Sequence, residues 1–375
     1  MKAILTTHVG SLPRGRELVP LLLARDHGEP YDAAALERLV QAAVEDAVAK
    51  QEAAGVSIVS DGELGKVGYS TYVKERLAGF GGRIDRKPAL DLAALPELRS
   101  KLALIMGEQE FVRAACVGPV RLRDLAPCHD DIRRFSCALE GRSVRGFLNA
   151  ASPGLITAFQ PNAYYPSHEA YLADLVSAMR PEYAAIAASG LQLQLDCPDL
   201  AMARHTGYQD LSEEQFLRIA AANVEALNAA TADIPPGRLR MHVCWGNYEG
   251  PHDCDIPLER ILAILLRARP ATILFEAANA RHEHEWTVWA AAKIPPDKVL
   301  APGLIDTRSN CVEHPELIAQ RLERFVRIVG VERVIASTDC GFGTFAGYGK
   351  IDPEVTWKKL RALRAGADLA AARLH

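Results

Sequence analysis

The sequence predicts an α/β protein built as a (β/α)8 barrel, and three observations carry that expectation. Short apolar runs rich in β-branched residues alternate with longer segments of helical period, as repeated βα units around a parallel sheet require. Eight such runs can be counted, the number that closes a barrel of this type. Polar residues with chemical capacity collect at the carboxyl ends of the runs, where such barrels gather their catalytic groups.

The runs cover residues 56–60, 114–121, 144–150, 191–196, 239–244, 272–277, 299–305 and 333–338. Between them the spacing predicts helices over 34–54, 168–189, 212–231, 258–267, 315–329 and 354–374. Their alanine-rich faces carry leucine or valine at i, i+3 and i+4, as expected of helices packed on the outside of a barrel. Residues 1–33 stand before the first run as an N-terminal extension. Residues 79–113, rich in Gly, Arg and Asp, exceed a normal βα connection and are read as an insertion: a lid, an oligomer contact or surface decoration. With no internal repeat and no low-complexity linker, residues 1–375 are expected to form a single domain.

The composition supports a soluble globular chain, with 375 residues, 49% hydrophobic and 24% charged. A formal net charge of -4 and a pI near 6.3 supply no broad electropositive surface, which argues against nucleic acid and for small-molecule partners. No run approaches the roughly 18 apolar residues of a membrane span, and the N-terminus lacks a secretory pattern. A cytoplasmic protein is expected, with no membrane partner. Its eight cysteines, irregularly spaced, fit reduced thiols. Cys116, Cys137 and Cys311 read as small buried or partly buried fillers, and Cys128 and Cys254 as loop residues. No motif specifies a dimer, so a homo-oligomer stays open.

Four side chains stand out at the ends of predicted strands: His242, Cys244, Glu276 and Cys340. Soft thiolates, one imidazole and one carboxylate suit Zn²⁺ better than magnesium or calcium. They are dispersed in sequence, so only a closed fold could assemble them, which points to a catalytic rather than a structural site. Asp61, Glu63, Asp196, Asp306 and Asp339 also fall at strand ends. Each aspartate alone could equally be a helix N-cap; together they favour a site. His8 could reach the barrel mouth as a proton donor or cap a loop, and His282 and His284 read as part of a solvated, charged turn. Tyr69, Tyr72, Trp245, Tyr248 and Phe342 flank the motifs and could wall a donor pocket, although core packing is the better account of any one of them.

At these residues the chain resembles the catalytic barrel of cobalamin-independent methionine synthase, within the superfamily that also holds uroporphyrinogen decarboxylase. The matching pieces are Thr7-His8-Val9-Gly10-Ser11, Asp61-Gly62-Glu63, Leu193-Gln194-Leu195-Asp196, His242-Val243-Cys244, Phe275-Glu276 and Asp339-Cys340-Gly341. The resemblance implies that His242, Cys244, Glu276 and Cys340 hold Zn²⁺ and that a substrate thiol joins or displaces one of them. It implies a homocysteine-like acceptor, its α-carboxylate held by Val9, Gly10 and Ser11 and its ammonium by Glu63 and Asp196, in the service of methionine biosynthesis. Coordination would strip the thiol proton and leave a sulfur nucleophile for a methyl donor. Two cysteinates and one carboxylate give the ion's surroundings a formal charge of about -1, which keeps the sulfur electron-rich.

The chain also departs from that pattern. It has room for one barrel where methionine synthases carry two, which weakens the folate assignment. The family's Asp-x-His-Ser segment reads Asp306-Thr307-Arg308-Ser309, and a guanidinium cannot protonate a leaving nitrogen. Arg308 suits an anion instead. That brings forward S-alkylation of the epoxyalkane:coenzyme M transferase type, another zinc branch of the superfamily, and, as a non-enzymatic alternative, a zinc-binding barrel that has lost methyl transfer.

Overall fold

A computed structural model describes residues 3–85, 87–107 and 112–374. Among the described residues eight strands form: β1 (Ile58–Ser60), β2 (Leu77–Gly81), β3 (Ala115–Leu122), β4 (Arg145–Ala151), β5 (Gln192–Asp196), β6 (Leu239–His242), β7 (Thr272–Phe275) and β8 (Val299–Pro302). Six of them make one curled parallel sheet in the order β1-β4-β5-β6-β7-β8. Strand neighbours follow chain order because each connection is a right-sized helical crossover. Leu193, Leu195, Met241, Ile273 and Leu300 are fully buried in it, as a sheet covered on both faces demands.

The sheet corrects the expectation for residues 114–121. That run is not a parallel stave: it pairs antiparallel with β2, outside the main sheet. Pro119 has no N–H to donate to a central ladder, and Val117 is 53% exposed, so the segment is suited to a two-stranded ribbon. The extension is corrected in part as well. Thr6 bridges Ala336 and Thr7 bridges Ile58, both in parallel sense, while Leu300 and Gly303 on and after β8 bridge Val334 and Ser337. The N-terminal segment therefore lies between β1 and the 334–337 run rather than in front of the fold.

All six expected helices form within a few residues of their predicted bounds, at Ala33–Ala53, His168–Ala188, Glu213–Ala230, Leu258–Leu265, Pro315–Val329 and Pro353–Arg373. Local chemistry sets their starts. Asp32, Ser167 and Asp352 accept from the first-turn backbone, and Ser212 with Gln215 forms a complete capping box. Of the 79–113 insertion, residues 86 and 108–111 lie outside the described residues. The remainder holds the end of β2, helices Leu90–Ala93 and Pro96–Met106, and the start of β3.

Three cysteines are placed differently from expectation. Cys128 is buried inside helix Ala126–Leu139, while Cys137 and Cys311 are exposed. Cys254 is exposed in a loop, as expected, and Cys116 is buried. No helix among the described residues is long and apolar enough to cross a membrane.

Candidate metal and substrate site

The parallel register brings the candidate groups to one end of the sheet. Asp196 ends β5 and is paired in register with His242, which ends β6. Cys244 follows two residues later, Glu276 stands directly after β7, and Cys340 follows the bridged 334–337 run. The ligand atoms of His242, Cys244 and Cys340 all lie within 4.8 Å of one another, and all three residues are buried. The two sulfurs are 3.8 Å apart.

Glu276 is beside this group but not within it. Its Oε1 accepts from the Trp245 N–H at 2.7 Å and its Oε2 from Asn279 Nδ2 at 2.8 Å. Asp339 ties the region together: its carboxylate accepts the backbone N–H groups of Ala277, Ala278 and Asn279 and the Asn279 side chain. A Cβ on Gly303 would fall 2.1 Å from the same carboxylate, so glycine is required for that approach.

A small pocket of about 50 Å³ opens above the three ligand-type residues, lined also by Val9, Ser11, Glu63, Tyr69, Asp196, Met202, Asn247 and Thr344. Glu63 occupies the left-handed region (φ 55°), and its buried Oε2 has no hydrogen-bond partner. Asp196 accepts from Asn149 Nδ2 at both oxygens, 3.2 and 3.1 Å, and lies 3.7 Å from His242 Nδ1. Asn149 also donates to the Val9 carbonyl. Gly10 is not on the pocket wall. At φ 145° its missing Cβ leaves the space taken by Asn149, 2.4 Å from where a Cβ would be.

His8 and Arg308 are not brought into this pocket. His8 is fully buried, with Nε2 2.7 Å from Gln51 Oε1 and its ring edge-on to Phe147. Burial lowers its pKa to about 4, assisted by the nearby Arg240 charge, so it is a neutral core histidine and not a proton donor at the mouth. Arg308 bonds Asp306 through its N–H and Nε, and lines a separate cavity of about 20 Å³ behind Asn247 and Thr344. The charged turn at 282–284 is corrected at His282 alone, His284 being exposed as expected. His282 is buried, bonded to Asp255 and Glu285 and packed on Trp245 at 4.5 Å; Asp255 further receives His252 and His205.

Burial sets the electrostatics. It pushes Glu63 up to about 8, with repulsion from Asp196 adding to it, and Asp339 up to about 7, with repulsion from Glu276. The Cys244 thiol is held well above its ordinary range by its hydrogen bond with Cys340 and by burial. Burial alone would lower His242, but Asp196 and the surrounding negative groups raise it to about 9. In this state the Cys244 thiol and the His242 ring hold their protons, and a bound cation would displace them.

Sequence reasoning missed Asn149, Met202, Asn247 and Thr344. Asn149 had a visible signal, being a polar residue at the end of the apolar run 144–150. The other three lie in loops without local periodicity and are brought in only by the fold.

Fold and donor set together define an α/β protein of curled parallel sheet with a buried, sulfur-rich pocket at the strand ends. Residues 4–352 match the family model of the cobalamin-independent synthase catalytic domain, and the chain belongs to that family. The methionine synthase of Thermococcus kodakarensis is 23% identical over 374 residues, covering 98% of this chain and 94% of that protein. The 2-hydroxypropyl-CoM lyase of Xanthobacter autotrophicus is 26% identical over 176 residues, 40% of this chain and 45% of that protein. Among solved structures, a B12-independent methionine synthase from Shewanella sp. W3-18-1 in complex with selenomethionine superposes with a TM-score of 0.76 at 19% identity, covering 100% and 99% of the two chains.

Proposed function

We propose that the chain is a single-domain (β/α)8 barrel acting as a zinc-dependent thiol S-methyltransferase, with a homocysteine-like acceptor. The barrel reading is supported by the bridges of Thr6, Thr7, Leu300 and Gly303, which add two staves to the six-stranded sheet. The observation that carries the function is the pair of sulfurs. With Zn–S bonds of about 2.3 Å, a tetrahedral site has an S···S edge of about 3.8 Å, and Cys244 and Cys340 stand 3.8 Å apart with His242 beside them.

His242, Cys244 and Cys340 would hold the ion, with Glu276 as fourth donor in the resting enzyme once it releases a hydrogen bond. The ion would supply charge that keeps an acceptor thiol deprotonated. The chain's own residues do the rest. Glu63 and Asp196 receive the acceptor ammonium, Val9 and Ser11 border its carboxylate, and Asn149 holds the Asp196 carboxylate in place. Asp196 also faces His242 and fixes its ring, the usual office of a carboxylate behind a ligating histidine. Eight unpaired cysteines support a cytoplasmic setting.

S-alkylation of a sulfonated thiol is the second reading, favoured by Arg308 and by the likeness to the Xanthobacter lyase. A thiol panel crossed with methyl donors and an epoxide, read by product mass, tests both. Methylated homocysteine is the expected product. Coenzyme M adducts in its place would favour the second reading, and absence of bound zinc in the purified protein would overturn both.

A further inference from the structure

Beyond the inner pocket lies a cavity of about 490 Å³, within the range of sites that take drug-sized ligands. Tyr69 and Asn247 line both spaces, so a molecule in the outer one adjoins the sulfur of an acceptor in the inner one. Two properties of the outer wall constrain what it takes. Each charged residue among the described ones lining it is a cation, Lys87, Arg99 or Arg113, in a chain whose net charge is -4. Four aromatic rings share the same wall: Tyr69 and Phe345 lie 5.3 Å apart between centroids, Phe345 and Tyr348 6.2 Å, and Tyr248 stands nearby.

The wall holds no carboxyl and no imidazole among its described lining residues. A donor that departs as an amine anion or alkoxide needs an acid beside its leaving atom. Guanidinium and ammonium groups keep their protons near neutral pH, and phenols, with an ordinary pKa of about 10, give theirs reluctantly. Arg308, bonded to Asp306 behind Asn247, is no better an acid. A donor that leaves as a neutral molecule needs none of them.

We propose that the outer cavity binds a methyl donor that is itself an onium, a sulfonium or quaternary ammonium, carrying a carboxylate. The aromatic rings receive the cationic head, since a desolvated cation over such rings is favoured by their quadrupoles. Arg113 and Arg99 receive the carboxylate, Lys87 being paired to Asp210. The inference rests on the S-methyltransferase reading above. The acceptor thiolate forms a new S–C bond to the methyl carbon, the C–S⁺ or C–N⁺ bond breaks, and its electron pair stays on the leaving atom. The onium charge and the thiolate charge cancel, and no proton moves.

The test uses zinc-loaded full-length protein with dimethylsulfoniopropionate and glycine betaine as probes. Titration calorimetry compares each with its carbon isostere, 4-methylpentanoate or 3,3-dimethylbutanoate, which keeps the carboxylate and lacks the cationic centre. Tighter binding of at least one onium by about tenfold is expected from the ring contacts; equal affinity for each onium and its carbon isostere overturns the inference. Transfer of a deuterated methyl group from the onium to homocysteine is the expected product. Label arriving from methyltetrahydrofolate or methylcobalamin but from neither onium overturns the donor class and leaves thiol methylation standing, whereas label from no donor overturns both. Phe345→Leu and Arg113→Met should each raise the donor KM about tenfold without moving the thiol KM. Arg113→Met should also erase the preference for glycine betaine over tetramethylammonium, which a merely structural arginine would leave intact.

Discussion

The inner pocket and the outer cavity share a wall but are built on different principles. The inner one is made of strand ends: His242, Asp196 and Glu63 are 2–4% exposed, and most of their polar atoms are engaged by partners from distant strands. The outer one is made of loops and the 79–113 insertion, where Arg99 is exposed and the covering helix shows Leu104 at 87% and Ile105 at 59%. Groups on strands hold a fixed geometry, which suits an acceptor sulfur that must be aimed. Groups on loops adapt, which suits recognition of the variable partner.

On that division the largest effects come from the strand ends. Cys340→Ser or Cys244→Ser should abolish zinc retention and lower thiol methylation at least about a thousandfold, because the remaining donors are too few for a stable tetrahedral site. Metal content by elemental analysis checks it. Arg99→Ala or Arg113→Ala should leave zinc stoichiometry untouched, and loss of zinc from either would break the comparison. Next in size, Glu63→Gln or Asp196→Asn should raise the homocysteine KM by about a hundredfold, since each removes a charge-assisted partner in a buried site. A thiol lacking the amino group should be insensitive to Glu63→Gln but still slowed by Asp196→Asn, whose carboxylate also faces His242, and steady-state kinetics with the two thiols separates ammonium recognition from support of the ligand set.

The same division explains what could be read from the sequence. The ends of β5, β6 and β7 were legible because an apolar run that stops at Asp196, His242 or Phe275-Glu276 is a local pattern. Run 114–121 had the same appearance, yet its partner is β2 rather than β1 and β4, a choice made by contacts far away in the chain. His282 looked like part of a solvated turn because its neighbours are charged; its burial depends on Asp255, 27 positions upstream. His8 fits the motif order but turns to Gln51 on helix Ala33–Ala53, which no spacing rule reveals. The outer cavity's cations were invisible as a set because residues 87 to 113 come together only through the fold of the insertion.

The histidine cluster behind Trp245 gives a stability test at the seam of the two regions. Burial opposes charge on His282, but Asp255 and Glu285 raise it to about 10; His252 is raised by Asp255, and Asp255 is itself held down at about 2 by these histidines against the cost of burial. The histidine contributions are complete below the ordinary imidazole value of 6.5 and are lost as pH rises through about 10 for His282. The Asp255 contribution is complete above its ordinary 3.8 and is lost as pH falls through about 2. Between those ordinary values both are present. Asp255→Asn should therefore cost about 3 kcal/mol near pH 5.5, the scale of breaking a buried ion pair, and progressively less toward pH 10. Urea denaturation across that range checks the trend, and a cost independent of pH would remove the ionic account.

The smallest effect belongs to the junction of insertion and loop. Asp91, on the short helix Leu90–Ala93, accepts from the Tyr248 hydroxyl at 2.6 Å and from the His252 N–H at 2.9 Å, joining the roof of the outer cavity to the loop after Cys244. Tyr248→Phe keeps the ring and removes one bond to a carboxylate, a loss of about 1.5–3 kcal/mol at most. Because the N–H bond from His252 remains, the roof should stay attached but open more often. Amide exchange over residues 90–106 should accelerate about tenfold while the strands β5 to β7 stay protected. Acceleration that spread into β6 would mean that the roof and the strand ends open as one unit, and the two cavities would then share a single rigidity rather than dividing it.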